Sequence, residues 1–471
     1  MLAKAKGIEM ALETGLWNGV PLTERGKGSV SRDIFVDPEL YELEKERVFA
    51  RCWLFVGFED QVRKPGDYFV SRMGEESVIL SRDRDNTIHV FLNSCRHRGM
   101  KVCRYDEGNT PVFTCPYHGW SYAGDGSLVG VPRYKDAYRE ELDKSQWGLV
   151  EVAQLANFHG SIWATWDPTA PTFEEYLGDN AHSVGMHFDK PDGDEADIEV
   201  LGLQKWLFSS NWKFGAENFL GDGYHGTPTH HSVEIVGINP GGGQSRQTVG
   251  QRRLREASTR LEISHHGSGR LSVNFAPEGY EYVPTYLNQP PAVEEYYRES
   301  YERRKHVLGK RSRLTPGNGN IFPNGTTGTN QSVCVWHPAG PDWTECWRWY
   351  FVQRDAPQEV KDMLRHYFMR YGGPAGLTES DDMENWNYAH KASKGVIARR
   401  YPYDYSMGLS REVHSHPLLK EFGLPENATF TEKHGSQRDP AEQNQRGAYK
   451  FWTDLMGSES WDDLRAKGLW S

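Results

Sequence analysis

The sequence predicts an α+β protein in which a small all-β unit is followed by a larger domain of mixed helices and strands. Two observations support this prediction. From about Cys52 to Trp166, short apolar segments alternate with turns rich in Gly, Pro and Asp, a pattern typical of an all-β unit. Beyond this region, longer amphipathic segments are mixed with strand-like ones, as in α+β domains.

The individual segments fit this division. The strand candidates of the β unit are CWLFVGF, DYFVSRM, ESVILSR, TIHVFLN and GSIWATW. The helix candidates of the remaining chain are PELYELEKERVFA, which precedes the β unit, and AVEEYYRESYERRKHVL and PQEVKDMLRHYFMRYG, which follow it. Its strand candidates are VCVWHPAG and ECWRWYFVQRD. We expect the segment that precedes the β unit to belong to the larger domain.

Composition excludes several classes of protein. The 471 residues include 37% hydrophobic and 13% aromatic side chains, enough to build sizeable cores. The net charge of -11 disfavours a nucleic-acid partner, because such a surface must neutralise phosphates. No run approaches the ~20 apolar residues that a membrane span needs, and acidic residues interrupt the N-terminal segment where a signal peptide would be apolar. The sequence therefore predicts a cytoplasmic protein with no membrane partner.

The six cysteines are too few for a disulfide framework, and a reducing compartment leaves their thiols free to bind metals. Four of the candidate metal ligands lie in two short motifs, Cys95-Arg96-His97 and Cys115-Pro116-Tyr117-His118. A structural zinc site usually takes its thiolates from one loop and its imidazoles from another, whereas each loop here supplies one of each. This mixture suits a Rieske [2Fe-2S] cluster, in which one iron takes both cysteines and the other both histidines. Zinc is the alternative.

The residues around the two motifs fit a cluster. Gly99 and Gly119 allow the loops to turn, so that backbone amides approach the cluster sulfurs. Tyr117 and Trp120 would shield the cluster from water, or else simply pack in the core. Cys103 lies outside both motifs, and we expect it to be a buried apolar side chain rather than a ligand.

A second group of candidate ligands lies in NWKFGAENFLGDGYHGTPTHHS. Asp222 and His225 are three positions apart, as on one face of a helix, and the following Gly-Thr-Pro sequence is expected to end that helix before His230. His231 is the alternative to His230, since only one of two consecutive residues can face a shared metal.

A carboxylate would complete this second site. Two histidines and one carboxylate on a single face leave open coordination positions at ferrous iron, where oxygen and substrate chemistry can occur. The segment ESDDMENW offers Asp381 and Asp382 as candidates. On its own this pattern is weak, but in one chain with a Rieske motif it indicates an electron-delivering cluster beside an oxygen-activating iron.

With both motifs present, the chain resembles the Rieske non-haem iron oxygenases, specifically the large (α) subunits of aromatic ring-hydroxylating dioxygenases of the naphthalene dioxygenase type. The resemblance runs nearly end to end, through ERVFARCWLFVG, CRHRG, CPYHGW, NWKFGAENFLGDGYHGTPTH, FPNGT, GPAGLTESDDMENW and QRGAYKFWTDLMGSESWDDL. It implies an all-β Rieske [2Fe-2S] domain at residues 50–168, inserted in a helix-grip catalytic domain with a large antiparallel sheet. Residues 1–49 would be the N-terminal part of that catalytic domain, and residues 169–471 its main part with the mononuclear iron.

The resemblance also implies specific roles for residues. The cluster ligands would be Cys95, His97, Cys115 and His118, and the mononuclear iron ligands would be His225, His230 and Asp382. It favours His230 over His231 and Asp382 over Asp381. Asp222 would be a catalytic bridge rather than a ligand, joining the Rieske histidine of a neighbouring subunit, by analogy His118, to His225.

Three residues would line a substrate pocket near the iron, namely Asn218, Phe219 and Asn318, although each could equally pack in the core. Gly226, Gly328 and Thr378 are small side chains that suggest a roomy cavity suited to bicyclic or polycyclic arenes.

The activity implied is that of a terminal oxygenase, which adds both atoms of dioxygen to an aromatic hydrocarbon and gives a cis-dihydrodiol. Electrons would come from NADH through a separate ferredoxin and reductase, since no GxGxxG follows a strand here. A small β subunit would complete an α3β3 hexamer, with an α3 trimer as the alternative. Two other functions remain open: a Rieske monooxygenase or demethylase, which would share both metal sites, and a non-catalytic Rieske electron-transfer protein, which would need no second site.

Overall fold

The structure is a computed structural model that describes residues 11–24, 26–236, 250, 253–254, 257–284, 289–315, 317–328, 331–424, 429–434 and 440–470. The chain divides into two compact units, one within Met1–Val48 and Pro171–Ser471 and the other within Phe49–Ala170. The smaller unit is thus inserted in the sequence of the larger one. The predicted α+β fold, with an all-β unit and a large antiparallel sheet, is confirmed.

The smaller unit contains three antiparallel sheets. The four-stranded sheet has the order Ile88–Leu92, Glu76–Arg82, Asp67–Met73, Glu107–Asn109, and the two three-stranded sheets have the orders Val112–Thr114, Ser121–Ala123, Leu128–Gly130 and Gln154–Phe158, Ser161–Thr165, Leu54–Phe58. Short 3-10 turns occur at Glu59–Val62 and Lys144–Gln146. One core cluster of this unit packs Phe91, Phe113, Trp120 and Tyr122 around the buried Cys95 and Cys115. The candidate cluster ligands therefore sit against the apolar core.

The larger unit is built on a nine-stranded antiparallel sheet. Its strands are, in spatial order, Ile198–Phe208, Thr344–Gln353, Ser332–Pro338, Gly325–Gly328, Gly319–Ile321, Ser268–Phe275, Thr259–His265 and Thr429–His434, with Leu314–Thr315 beside Ser268–Phe275. The strands Thr344–Gln353 and Ser332–Pro338, second and third in this order, are buried almost throughout. Their burial explains why they read as nearly continuous apolar runs rather than as an alternating pattern. Two further small sheets pair Leu16–Trp17 with Val20–Pro21, and Tyr403–Asp404 with Ser29–Val30 and Thr23–Glu24.

The larger unit also contains α-helices, which alternate with the strands along the chain. They are Asp33–Val36, Pro38–Glu44 with the π turn Lys45–Phe49, Phe173–Leu177, Ala181–Phe188, Trp212–Asn218, Gly226–Thr229, His231–Val236, Pro291–Leu308, Gln358–Tyr371, Glu379–Ser393, Pro417–Phe422, Gln443–Met456 and Trp461–Ala466. In Gln358–Tyr371 the buried residues Val360, Leu364, Tyr367 and Phe368 recur at the spacing of one helix face and pack on Tyr350 of the sheet. None of the described helices has the length and apolar character that crossing a bilayer requires.

A buried ion pair fixes the helix Trp212–Asn218, which leads into the candidate iron site. Glu44 is fully buried, contacts Lys213 Nζ, and accepts hydrogen bonds from the indole nitrogens of Trp212 (3.1 Å) and Trp452 (2.6 Å). A buried charge is tolerated only when it is paired and hydrogen-bonded, and here both carboxylate oxygens have partners.

We expect Lys213→Met to lower the free energy of unfolding of this unit by about 3 to 5 kcal/mol, because it leaves the Glu44 carboxylate buried without its counter-charge. Urea unfolding followed by tryptophan fluorescence measures the change. Lys27→Met is the control, since Lys27 pairs with Glu24 at the surface and its side chain is 74% exposed. Equal losses in the two variants would contradict the assigned role of the buried pair.

Candidate metal centres

The two Cys/His loops of the smaller unit are closed in the same way. In each loop the cysteine N–H donates to the carbonyl five residues later, Cys95 to Met100 and Cys115 to Trp120, both at 2.8 Å. The glycine four residues after each cysteine donates back to the cysteine carbonyl, and both glycines have positive φ angles, 71° at Gly99 and 73° at Gly119. Only glycine adopts this conformation without strain, so the sequence dictates the two turns.

These loops bring the four predicted cluster ligands to one place. Cys95 and Cys115 are buried at 3% and 1% exposure, and the rings of His97 and His118 lie 4.5 Å apart between centroids. His97 Nδ1 is buried and has no hydrogen-bond partner among the described residues. Burial and the charges of His118 and Arg98 lower the pKa of His97, which favours the neutral imidazole that a metal needs. Two buried thiols beside an unpaired imidazole nitrogen fit a [2Fe-2S] cluster, as the spacing predicts.

Aromatic side chains complete this site in different ways. Trp120 is buried and stacks on the His97 ring, with 5.0 Å between centroids and an angle of 8°, so it both packs in the core and covers a predicted ligand. The ring of Tyr117 packs on the His118 ring, with 3.8 Å between centroids, but Tyr117 is 59% exposed. Tyr122 was not predicted; its hydroxyl accepts from the Arg96 N–H (3.1 Å) and is hydrogen-bonded to Cys95 Sγ (3.3 Å). Hydrogen bonds to cluster sulfurs help to set a reduction potential.

Cys103 takes no part in this arrangement. It is 7% exposed, and burial raises the pKa of its thiol to about 12, which keeps it protonated. Cys103 belongs to the apolar core cluster of the smaller unit. The expectation that Cys103 is a buried apolar side chain agrees with this placement.

In the larger unit, the helix Glu379–Ser393 carries Asp382 to His225 and His230. Asp382 Oδ1 lies 3.5 Å from His225 Nε2 and 3.2 Å from His230 Nε2. One donor atom from each of the three residues lies within 4.8 Å of the others, and Asp382 is buried. Two imidazoles and one carboxylate on a single face suit ferrous iron and leave coordination positions open. His231 is exposed and lies outside this group.

Each of the two imidazoles also has a carboxylate at its other nitrogen. Asp222 Oδ1 lies 3.3 Å from His225 Nδ1, which also contacts the Asp222 carbonyl oxygen, and Asp381 Oδ2 lies 3.6 Å from His230 Nδ1. The two neighbouring aspartates 381 and 382 thus face different nitrogens. Burial lowers the pKa of His225, but the hydrogen bond from its ring to Asp222 and the charges of Asp222 and Asp382 outweigh burial and raise it. Such carboxylates orient metal-binding imidazoles and fix their tautomer.

The backbone around Asp222 differs from the prediction. The helix ends at Asn218, so Asp222 and His225 do not share a helical face, and the Gly-Thr-Pro sequence forms the short helix Gly226–Thr229 instead of ending one. Pro228 is accommodated because a helix of one turn has few internal hydrogen bonds to lose. The Asp222 and His225 side chains still meet, because the segment after Asn218 turns back on itself.

Two buried charges behind the site were not predicted. Arg348, on the strand Thr344–Gln353, contacts the carboxylate of Glu379, and the two residues are only 5% and 4% exposed. Glu379 begins the helix that carries Asp382. Arg348 Nε also donates to Cys334 Sγ at 3.0 Å, and its guanidinium lies 5.8 Å from the centre of the Phe219 ring. The only sign of this pair in the sequence was Glu379, the first acid of the run ESDD.

A buried carboxyl group on the preceding helix was also missed. Glu217 is enclosed by Tyr405 and Tyr449, whose hydroxyl groups both donate to its Oε2, the first at 2.9 Å. Burial raises the pKa of Glu217 to about 8, so the group is protonated at neutral pH. Its partners lie far along the chain, and no local pattern marks them.

The predicted pocket residues lie near the candidate iron site to different degrees. Asn218 Nδ2 donates to Asp382 Oδ2 at 3.5 Å, and the Phe219 ring packs on Trp336 with 5.8 Å between centroids. Asn318 lies beside Gly328, at 4.0 Å from the position of a Cβ atom on that glycine, and its role in the pocket stays a prediction. Gly226 follows His225, and among the described residues no atom would lie within 4 Å of a Cβ atom on this glycine.

Comparisons with known proteins agree with this geometry. Residues 52–152 match the Rieske [2Fe-2S] domain, and residues 175–422 match the ring hydroxylating alpha subunit (catalytic domain). The chain is 36% identical over 460 residues to biphenyl dioxygenase subunit alpha of Paraburkholderia xenovorans (strain LB400), with 94% of each chain covered. It is 36% identical over 456 residues to benzene 1,2-dioxygenase subunit alpha of Pseudomonas putida, with 94% of this chain and 95% of the other covered. A solved structure of naphthalene 1,2-dioxygenase with indole bound in the active site is 31% identical, with a TM-score of 0.81 and coverage of 95% and 97%.

We expect Asp382→Ala to abolish iron binding at the second site, because it removes the carboxylate that both Nε2 atoms face. Asp381→Ala removes only a group at the far nitrogen of His230, so we expect it to weaken iron binding by about 10-fold and to leave the site loadable. Iron and acid-labile sulfide per chain measure the two sites separately. Equal iron content in the two variants would contradict the choice of Asp382.

Proposed function

Since this chain belongs to the family of aromatic ring-hydroxylating dioxygenase alpha subunits, we propose that it is a terminal oxygenase that adds both atoms of dioxygen to adjacent carbons of an aromatic hydrocarbon. The product is a cis-dihydrodiol, and each turnover takes up two electrons and two protons. The chain is an oxidoreductase whose cofactors are a Rieske [2Fe-2S] cluster and a mononuclear iron. One observation carries the proposal: Asp382, His225 and His230 converge in a chain that also holds the two Cys/His loops.

The residues of the chain prepare both sites for this reaction. When bound, the cluster supplies electrons one at a time and the iron activates dioxygen. Asp222 Oδ1 and Asp381 Oδ2 lie 3.3 and 3.6 Å from Nδ1 of His225 and His230, and their negative charge favours a proton on Nδ1, which leaves both Nε2 atoms free for a metal beside Asp382. The Phe219 ring, with Trp336 behind it, offers a flat apolar wall that holds an arene and excludes water.

Asp222 has a second role in the proposal, as a bridge between subunits. In related trimers the cluster of one subunit lies close to the iron of its neighbour, and the resemblance implies a hydrogen bond from His118 of the partner subunit to Asp222. Because Asp222 also contacts His225, such a bond would complete a short hydrogen-bonded path from cluster to iron.

The remaining components are supplied by other chains. Electrons come from NADH through a reductase and a ferredoxin, and the NADH pool places the reaction in the cytoplasm. A small β subunit completes an α3β3 hexamer, and an α3 trimer is the alternative assembly. The relatives support this organisation, because they are named as alpha subunits.

The substrate is an arene, and we expect it to have two or more rings. Relatives are named for biphenyl, benzene and naphthalene, so the family covers rings of different size. In this chain Gly226 is directly beside His225, and no atom of the described residues would lie within 4 Å of a Cβ there, which supports room for a ring beyond the one that reacts.

We expect Asp222→Asn to keep both metals and the visible spectrum but to lower turnover about 10- to 100-fold, because the amide lacks the charge that holds an imidazole N–H on each side. Metal content, absorbance and product formation with excess ferredoxin and reductase measure these properties. Asp381→Asn is the matched control, since Asp381 contacts only His230 of the predicted ligands and should retain a larger share of turnover. Unchanged turnover in Asp222→Asn would remove the bridge from the proposal.

Whole cells that co-express redox partners, given benzene, biphenyl, naphthalene and phenanthrene, test the reaction and the substrate class together. We expect cis-dihydrodiols from the larger arenes. Gly226→Val should be tolerated, because its Cβ meets no atom within 4 Å, and should shift the product ratio towards the smaller arenes by filling that space. Monohydroxylated products alone would contradict dioxygenation, and an unchanged ratio in the variant would separate Gly226 from the pocket.

A further inference from the structure

The helix Gln443–Met456, the last but one in the chain, begins with an unusual run of buried polar residues. Glu442, Gln443, Asn444, Gln445 and Arg446 are 6%, 1%, 0%, 2% and 2% exposed. Residues of these types are seldom fully buried, and burial without hydrogen-bond partners costs free energy. Five in succession therefore require a specific set of partners, which the structure shows on two sides of the helix start.

On one side lies the segment that carries Asp222 and leads to His225. Asn444 Nδ2 donates to the Leu220 carbonyl at 2.7 Å, and the Tyr224 hydroxyl donates to Glu442 Oε1, also at 2.7 Å. Between these bonds, Gly221 packs so closely that a Cβ atom would lie 3.1 Å from Gln445 Oε1. The helix start thus holds both ends of the stretch 220–224.

On the other side, the helix start is attached to the rest of the unit. Gln443 Nε2 donates to the carbonyls of Glu262 (2.8 Å) and Thr429 (3.0 Å), which belong to strands of the large sheet. Arg446 pairs with Glu412. The hydrogen bonds to Leu220 and from Tyr224 therefore connect the segment to the large sheet through the start of the helix.

The segment needs such support because it has no regular structure of its own. Between the helices Trp212–Asn218 and Gly226–Thr229 it includes Gly221 and Gly223, which lose more backbone entropy on ordering than other residues. Yet Asp222 and His225 must keep a fixed geometry, since metal sites tolerate little displacement of their ligands.

We propose that Glu442 and Asn444 are positioning residues that hold Asp222 and His225 in the metal-binding arrangement, with Tyr224 as the link to Glu442. They touch neither metal nor substrate and act through the segment that they anchor. The inference rests on the proposed assignment of His225 as an iron ligand and goes beyond it, because it gives the helix Gln443–Met456 a role in the iron site.

Tyr224→Phe tests this link with the loss of one hydroxyl group. We expect the dissociation constant for iron(II), measured on holoprotein depleted of mononuclear iron but with its cluster intact, to rise about 10-fold or more. The cluster spectrum and the melting temperature should change little, because the Tyr224 side chain is partly exposed. Asn444→Leu, which breaks the second bond at similar side-chain size, should weaken iron binding at least as much.

Tyr176→Phe is the matched control. Its buried hydroxyl donates to the Phe322 carbonyl at 2.8 Å in the same unit, so its removal costs a comparable hydrogen bond at a place unconnected with the segment 220–224. We expect a lower melting temperature and unchanged iron affinity.

Two outcomes would overturn the inference: iron affinity unchanged in Tyr224→Phe, or an equal loss in Tyr176→Phe and Tyr224→Phe. His225→Ala separates this failure from failure of the proposed ligand set. If His225→Ala abolishes iron binding while Tyr224→Phe does not alter it, only the positioning role is wrong; if His225→Ala binds iron normally, the ligand assignment itself fails and the inference falls with it.

Discussion

The larger unit depends on one buried carboxylate, Asp382, being shared between two imidazoles. A carboxylate removed from water is costly unless partners replace its hydration. Here Asn218 Nδ2 donates to Asp382 Oδ2, and Nε2 of His225 and of His230 lie 3.5 and 3.2 Å from Oδ1, where a bound cation would supply the balancing charge. The helix that carries Asp382 must therefore be placed within a few tenths of an ångström of the segment that carries the histidines. Local helix propensity cannot achieve this, so the surrounding packing has to.

That packing uses buried polar contacts more than the apolar core alone. The Glu44–Lys213 pair fixes the helix that precedes Asp222. The Arg348–Glu379 pair attaches the start of the helix that carries Asp382 to the strand Thr344–Gln353 of the sheet. Buried ion pairs add little net stability, because desolvation offsets most of the attraction, but an incorrect arrangement would leave a charge unpaired. Their contribution here is to make alternative placements of the helix Trp212–Asn218 and of the helix that carries Asp382 unfavourable.

The sequence was sufficient where the chemistry depends on residue type at short spacing. The two Cys/His loops and the strands near them could be predicted, because ligands and turn glycines are close in the chain. The Asp381–Asp382 pair was the predicted source of the carboxylate, and the structure places Asp382 beside His225 and His230. The helical interpretation of Asp222 and His225 was wrong, since a three-residue spacing also occurs in an irregular turn. The contacts of Arg348 with Glu379 and of Glu217 with Tyr449 could not be predicted, because they join residues far apart and no local pattern depends on them.

The matching hydrogen bonds of the two Cys/His loops bear on how the smaller unit acquires its inorganic group. Each turn is closed by backbone bonds that involve no sulfur or imidazole atom, and its glycine already has the required φ. The backbone thus holds the cysteines and histidines of both turns in place, so that little conformational entropy is lost when their side chains bind a [2Fe-2S] cluster.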